Sequence, residues 1–188
     1  MLAVLLTGFR TVRALSIVTA LAFAALGSGC GTLGGAGSGA STAQALGRRV
    51  PDLSLRTLSG GKPMRLSSYR GKVVLLDIWA SWCQPCRAEL PALDEIAERL
   101  ASRGVEVIAV SVDESHADAE AFVRGRRRWT LTLAHDPNGA IGDRLQPAVM
   151  PTSYLIDRDG ILRYVNAGFQ PGDARTIEAR LLELSGRR

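Results

Sequence analysis

Val73-Val74-Leu75-Leu76-Asp77-Ile78-Trp79-Ala80-Ser81-Trp82-Cys83-Gln84-Pro85-Cys86 decides the reading of this chain. From Val73 to Trp79 every residue but Asp77 is apolar, the pattern of a strand buried on both faces of a sheet. Downstream, Leu90, Leu93, Ala97 and Leu100 recur at helical spacing, with Pro91 inside the helix as an expected kink. The two cysteines therefore fall where a strand hands over to a helix. A Cys-x-x-Cys at such a junction reads as a redox dithiol. Cys83 is expected at the helix N-terminus, where backbone N–H groups and the macrodipole favour a thiolate. The thiolate is the form that attacks a disulfide. Pro85 suits a first helical turn because its missing N–H is not needed there.

Two plainer readings compete. Zinc wants four ligands, and only Cys30, His116 and His135 remain to complete a set, with no second pair at metal spacing. No metal site is expected. Two inert core cysteines are the other alternative, since buried Cys is common.

At 188 residues and 46% hydrophobic, the chain has room for one globular domain and a leader. Net charge is +5, and Arg10 and Arg13 account for two of those charges, so nothing calls for a nucleic-acid partner. The basic cluster Arg124, Arg126, Arg127 and Arg128 reads as a solvated helix face. Arg10 and Arg13 precede an apolar stretch, Ala14 to Leu26, and then small residues, as in a secretory signal over 1–29. The two arginines interrupt what would otherwise approach a membrane-spanning run of about 20 residues. Residues 30–47, rich in Gly, Ala, Ser and Thr, read as a flexible linker, and 48–188 as the folded domain. Leu26-Gly27-Ser28-Gly29-Cys30 resembles a bacterial lipobox, which implies lipidation at Cys30, although Leu26 stands one position further from the cysteine than that motif prefers. Ala43-Gln44-Ala45 offers an alternative cleavage site.

Leu53–Leu58, Ser59-Gly60-Gly61 and Lys62–Leu66 read as a β-hairpin. Val105–Val112 is a second buried strand, and Ser115–Arg127 a helix capped by Ser115. Trp129–Ala134 is a short extended piece and Asp136-Pro137-Asn138-Gly139 a turn, with one helical turn at Ile141–Leu145. Thr152–Ile156 and Ile161–Val165 form a hairpin about Asp157-Arg158-Asp159-Gly160. Asp173–Leu184 closes the chain as a helix with Ile177, Leu181, Leu182 and Leu184 inward. The class is α/β, a mixed sheet flanked by helices.

The stretch Asp77–Cys86 resembles the active-site segment of the thioredoxin superfamily. The preceding hairpin, the βα segment inserted before Pro151 and the export signal narrow the resemblance to TlpA/ResA-like, or redoxin, thiol–disulfide oxidoreductases. Val149-Met150-Pro151-Thr152-Ser153-Tyr154-Leu155-Ile156-Asp157 resembles that family's proline loop and the strand after it. The likeness spans roughly Val50 to Leu184 and implies a thioredoxin-like fold. It implies Cys83 as the attacking, more exposed sulfur and Cys86 as the resolving thiol. Gln84 and Pro85 would tune the pair and, with Trp82 as an apolar lip, meet the substrate. Trp79 would be core. Pro151 would be a cis-proline facing the cysteines, with the Met150 backbone pairing with a substrate strand. A charge inside an apolar strand is costly unless paired, so Asp77 is expected to have a raised pKa. The resemblance makes it the acceptor of the Cys86 proton; a structural, hydrogen-bonded Asp is the alternative. Glu89 tunes the site in the family, against the alternative of a solvated Glu in an early helical turn. His116 and His135 are expected to be isolated surface residues.

The implied activity is that of a membrane-tethered, extracytoplasmic protein thiol–disulfide oxidoreductase, a monomer on the periplasmic face of a bacterial membrane. Its partners would be proteins with thiols or disulfides, such as apocytochrome c, and a membrane thiol carrier supplying electrons. It would need no cofactor beyond the Cys83–Cys86 disulfide. A peroxiredoxin-like peroxidase is disfavoured because such chemistry wants Thr or Ser three residues before the reactive cysteine, where Ala80 stands. A copper-binding assembly protein would want a three-residue spacer and a better placed His than His135.

Overall fold

The computed structural model describes residues 46–125 and 128–186. The expected signal over 1–29, Cys30, nearly all of the expected linker, and Arg126 and Arg127 of the basic cluster lie outside the described residues.

Strands β1 (Ser54–Thr57) and β2 (Pro63–Arg65) pair antiparallel, with Leu55 opposite Met64. Gly60 and Gly61 turn between them with φ of 79° and 59°, a left-handed conformation that glycine enters without a Cβ clash. Next come β3 (Val73–Trp79), α1 (Cys86–Leu100), β4 (Val105–Ser111), α2 (His116–Val123) and β5 (Thr132–His135). After β5 the chain continues as α3 (Ala140–Arg144), β6 (Thr152–Ile156), β7 (Leu162–Ala167) and α4 (Asp173–Gly186). The seven strands lie in the order β2-β1-β5-β4-β3-β6-β7. β3, β4 and β5 are parallel, as helical crossovers require, while β6 runs antiparallel to β3. The inserted β5 carries the N-terminal hairpin on its outer edge, with Arg56 opposite His135.

All seven residues of β3 are buried, because helices cover both faces of this central strand. Its alternation sorts them. Val73, Leu75 and Trp79 join Leu90, Leu93 and Ile96 of α1 and Ile177 and Leu181 of α4. Val74, Leu76 and Ile78 pack with Leu53, Leu66, Ile108 and Ile141 on the other side. Each such side chain contributes about 1.5–3 kcal/mol on burial. By the same period of two, Asp77 points to the α1 face. That placement builds the site.

Several boundaries differ from the sequence reading. α2 stops at Val123, and Ser115 sits at its N-cap in extended conformation without a side-chain cap bond; its carbonyl instead accepts from the N–H of Asp118 and Ala119. Leu182 is exposed rather than inward, since it lies about 100° round the helix from fully buried Leu181. The turn at Asp136 does more than reverse the chain. Its carboxylate accepts the N–H groups of Ala140 and Ile141 and so satisfies the first turn of α3.

Candidate active site

The chain leaves β3 through a tight turn in which the Cys83 N–H donates to the Ala80 carbonyl at 3.1 Å. Cys83 and Cys86 are joined in a disulfide, with Cα atoms 5.4 Å apart. Helical structure begins at Cys86 itself, so Cys83 stands three residues ahead of the first helical residue rather than in the first turn. The physical reason lies in the donors. The early helical bonds run from Arg87 to the Gln84 carbonyl and from Ala88 and Glu89 to that of Pro85, leaving Cys83 in the preceding turn. Cys83 is 4% exposed and Cys86 fully buried, so Cys83 is the outer sulfur. Around it Gln84 and Pro85 are exposed, and Trp82 is 69% exposed.

Because β6 is antiparallel to β3, its start abuts the end of β3, with Thr152 in register with Ile78. The Met150–Pro151 peptide, which is cis, therefore sits at the end of the sheet that carries the cysteines. Pro151 is buried, and its carbonyl accepts from the Gly168 N–H at 2.8 Å. Met150, half-buried, packs against the core cluster that includes both cysteines.

Between β3 and the start of α1, the helix that carries Cys86, lies a buried acid pair. Asp77 of β3 and Glu89 of α1 are both fully buried. The Ser153 hydroxyl of β6 stands 3.0 Å from Asp77 Oδ1 and 3.2 Å from Glu89 Oε1. Asp77 Oδ2 and Glu89 Oε2 have no hydrogen-bond partner. Burial pushes the Asp77 pKa up to about 7, against the opposing pull of the Ser153 hydroxyl. Burial, and then the Asp77 charge, push Glu89 up to about 10. Glu89 is thus no solvated surface acid.

Residues 46–165 match the AhpC/TSA family. The chain belongs to that family. The thiol-disulfide oxidoreductase ResA of Geobacillus kaustophilus is 35% identical over 127 residues, covering 68% of this chain and 72% of its own. The thioredoxin-like protein YneN of Bacillus subtilis is 35% identical over 125 residues, 65% of this chain and 71% of its own. Among solved structures, a Chlorobium tepidum protein assigned as thiol:disulfide interchange protein DsbE aligns with a TM-score of 0.70 at 35% identity. It covers 75% of this chain and 98% of its own. The pneumococcal exposed lipoprotein thioredoxin Etrx1 of Streptococcus pneumoniae aligns at 0.62 with 35% identity, over 71% of this chain and all of its own. Within the AhpC/TSA family, this chain is a thiol–disulfide oxidoreductase with a thioredoxin-like fold, carrying its disulfide at Cys83 and Cys86.

This AhpC/TSA member also holds a network that the sequence reading missed. The Asp113 carboxylate, just beyond β4, accepts the Ser81 N–H at 3.0 and 3.1 Å, the Ser81 hydroxyl at 2.7 Å and the Ser111 hydroxyl at 2.7 Å. It thereby ties the turn before Cys83 to the sheet. The histidines are also not as expected. His135 is buried, with Nε2 2.8 Å from the Asp113 carbonyl, and its ring lies edge-on to His116 at 5.2 Å. The pair is drawn together because α2 begins, and β5 ends, at the same end of the parallel strands as the cysteines. Among the described residues, no three His, Cys, Asp or Glu side chains converge on a metal position. A groove of about 370 Å³ lined by Leu58, Val123, Trp129, Leu131 and Leu133 holds neither cysteine.

Proposed function

We propose that this chain is a membrane-tethered, extracytoplasmic protein-disulfide reductase in which Cys83 attacks and Cys86 resolves. The observation that carries the reading is the Cys83–Cys86 disulfide, joined through β3 and α1 to the buried Asp77–Ser153–Glu89 cluster. In the dithiol form the Cys83 thiolate attacks a substrate disulfide, a mixed disulfide forms and one substrate thiolate leaves. Cys86 then gives its proton to the Asp77 carboxylate. The new thiolate attacks Cys83 Sγ, the bond from Cys83 to the substrate breaks and the second substrate thiolate departs. Two electrons pass to the substrate, and the Cys83–Cys86 disulfide closes. A membrane thiol carrier then reduces that disulfide, and no other cofactor takes part.

Trp82, Gln84, Pro85 and Met150 receive an extended segment of the substrate protein, with apolar contact from the Trp82 ring. Pro151 holds Met150 in place, and the chain acts as a monomer. The haem-site cysteines of apocytochrome c, when joined in a disulfide, are one substrate class that fits a sulfur lying nearly flush with its surroundings, because a flexible segment can reach it. Lipidation of Cys30 on the periplasmic side would hold the domain to the membrane; the likeness to a lipoprotein thioredoxin supports that tether. Ala80, three residues before Cys83, argues against a peroxidase, and the engaged Nε2 of His135 argues against copper binding.

The test is a Cys86→Ser variant expressed in cells of the source bacterium. It should accumulate a mixed disulfide through Cys83 with a protein partner, lost in Cys83→Ser/Cys86→Ser. Lipid-precursor labelling of the wild type, absent in Cys30→Ala, checks the tether. Failure to trap any partner would remove the reductase reading, and equal labelling would remove the anchor.

A further inference from the structure

The Ser153 hydroxyl lies within hydrogen-bond reach of two buried carboxyl groups, at 3.0 Å and 3.2 Å. A hydroxyl has one proton to give and lone pairs to receive with. It can donate to only one carboxylate. Were both acids ionised, the second contact would set a carboxylate oxygen against a hydroxyl lone pair, in a site closed to water. The arrangement is satisfied when one acid is protonated and donates to Oγ while Oγ donates to the other.

The surroundings decide which acid holds the proton. Asp77 has the shorter contact to Oγ, and the nearby Ile78 N–H also stabilises its charge. The repulsion between the two acids is mutual, but Glu89 also faces the charge of Asp173 on α4. On α1, Cys86 stands three residues before Glu89 and is buried, and from β4 Ala109, in register with Asp77, carries no charge. The proton therefore sits on Glu89. With Oδ1 engaged by Ser153, Asp77 keeps Oδ2 as its unpartnered oxygen.

We propose that Ser153 is a positioning residue of the thiol–disulfide exchange: its hydroxyl leaves the pair one proton, on Glu89, and keeps Asp77 as the anion that accepts the Cys86 proton at Oδ2. The proposal rests on the dithiol reading above. It assigns a role to a side chain whose hydrogen-bond partners are two acids rather than either sulfur. Ser153 lies two residues beyond Pro151 on β6, so one strand carries both the proline loop and the group that sets the protonation of the base.

Reduced protein mixed with an aromatic disulfide such as 5,5′-dithiobis(2-nitrobenzoate) tests it. Attack by Cys83 releases one thiolate and leaves a mixed disulfide; resolution by Cys86 releases the second. The pH profile of the second release reports the base. In Ser153→Ala its acid limb is expected to move up by about one pH unit, a roughly tenfold loss of rate below the limb, with the first release unchanged. Ser153→Thr keeps a hydroxyl and is expected to keep the wild-type profile. Infrared spectra of the wild type at pH 8 should show one buried protonated carboxyl, removed by Glu89→Gln and retained in Asp77→Asn. An unmoved acid limb in Ser153→Ala, or a protonated carboxyl that disappears with Asp77→Asn instead, would overturn the assignment. A wild type that gives only the first release would sink the dithiol reading and this proposal together; a normal second release with an unmoved limb would sink the proposal alone.

Discussion

Raising the pH of the oxidised chain from 7 to 9 should cost it stability through Glu89. The buried Glu89 carboxyl has a native pKa pushed up to about 10, against an ordinary value of 4.5. Between those values the native state holds a proton that the unfolded chain has already released. Stability then falls as pH rises, by about 1.4 kcal/mol per pH unit for each such proton. The contribution is fully present below the ordinary glutamate pKa and is gone once the pH passes through the native one. Over pH 7 to 9 the loss should be on the order of 2–3 kcal/mol, a large part of the stability of a domain this size. The cysteines do not contribute, because they are joined in the disulfide. Urea unfolding at pH 7, 8 and 9, on wild type and Glu89→Gln, isolates the effect: the glutamine keeps an N–H donor toward Ser153 and has no proton to lose. Wild type should weaken steadily, and Glu89→Gln should stay nearly level above pH 8. Parallel losses in the two proteins would refute the claim that Glu89 keeps its proton through neutrality.

The two tryptophans flanking the site should behave oppositely. Trp79→Ala, at a fully buried position, should cost about 3–5 kcal/mol by denaturant unfolding, whereas Trp82→Ala, 69% exposed, should change stability by less than about 0.5 kcal/mol and instead weaken reduction of protein disulfides. Asp113→Ala leaves the Ser81 N–H and the Ser81 and Ser111 hydroxyls without their acceptor and should cost about 3 kcal/mol, read as a lowered midpoint in thermal unfolding. Leu182→Ala, on the exposed side of α4, should cost far less than Leu181→Ala, which empties a fully buried position and should cost about 2–5 kcal/mol in the same assay.

The architecture was legible where the chain's local chemistry is strong. The nearly all-apolar run of β3, the Gly60-Gly61 turn, the helical spacing after Cys86 and the run Thr152–Ile156 each specify their element without help from distant residues. Asp77 was also legible, as one acid in an apolar strand. Its bridging partner was not. Ser153 is 76 residues away, and a serine in a strand carries no mark of what stands opposite it until the β3–β6 register is known. Glu89 was readable as three residues from Cys86, but a solvated and a buried Glu look alike without the sheet beneath the helix. Asp113 posed the same problem: Ser81 lies 32 residues away in the turn after β3 and meets it only through the β3–β4 pairing. Ser115 was read as a cap from residue type, yet the α2 N-terminus is served by its backbone carbonyl. Local preference fixed its position and tertiary geometry decided which atom is used.

The most direct measurement is the pH dependence of alkylation of reduced Cys86→Ser protein by iodoacetamide, which follows the Cys83 thiolate alone among the domain's two cysteines. A chain that uses Cys83 to open disulfides should alkylate in the folded state with a midpoint well below the ordinary thiol value of about 8.5. A midpoint at that ordinary value, or labelling that begins only when the protein unfolds, would contradict the assignment of Cys83 as the attacking sulfur.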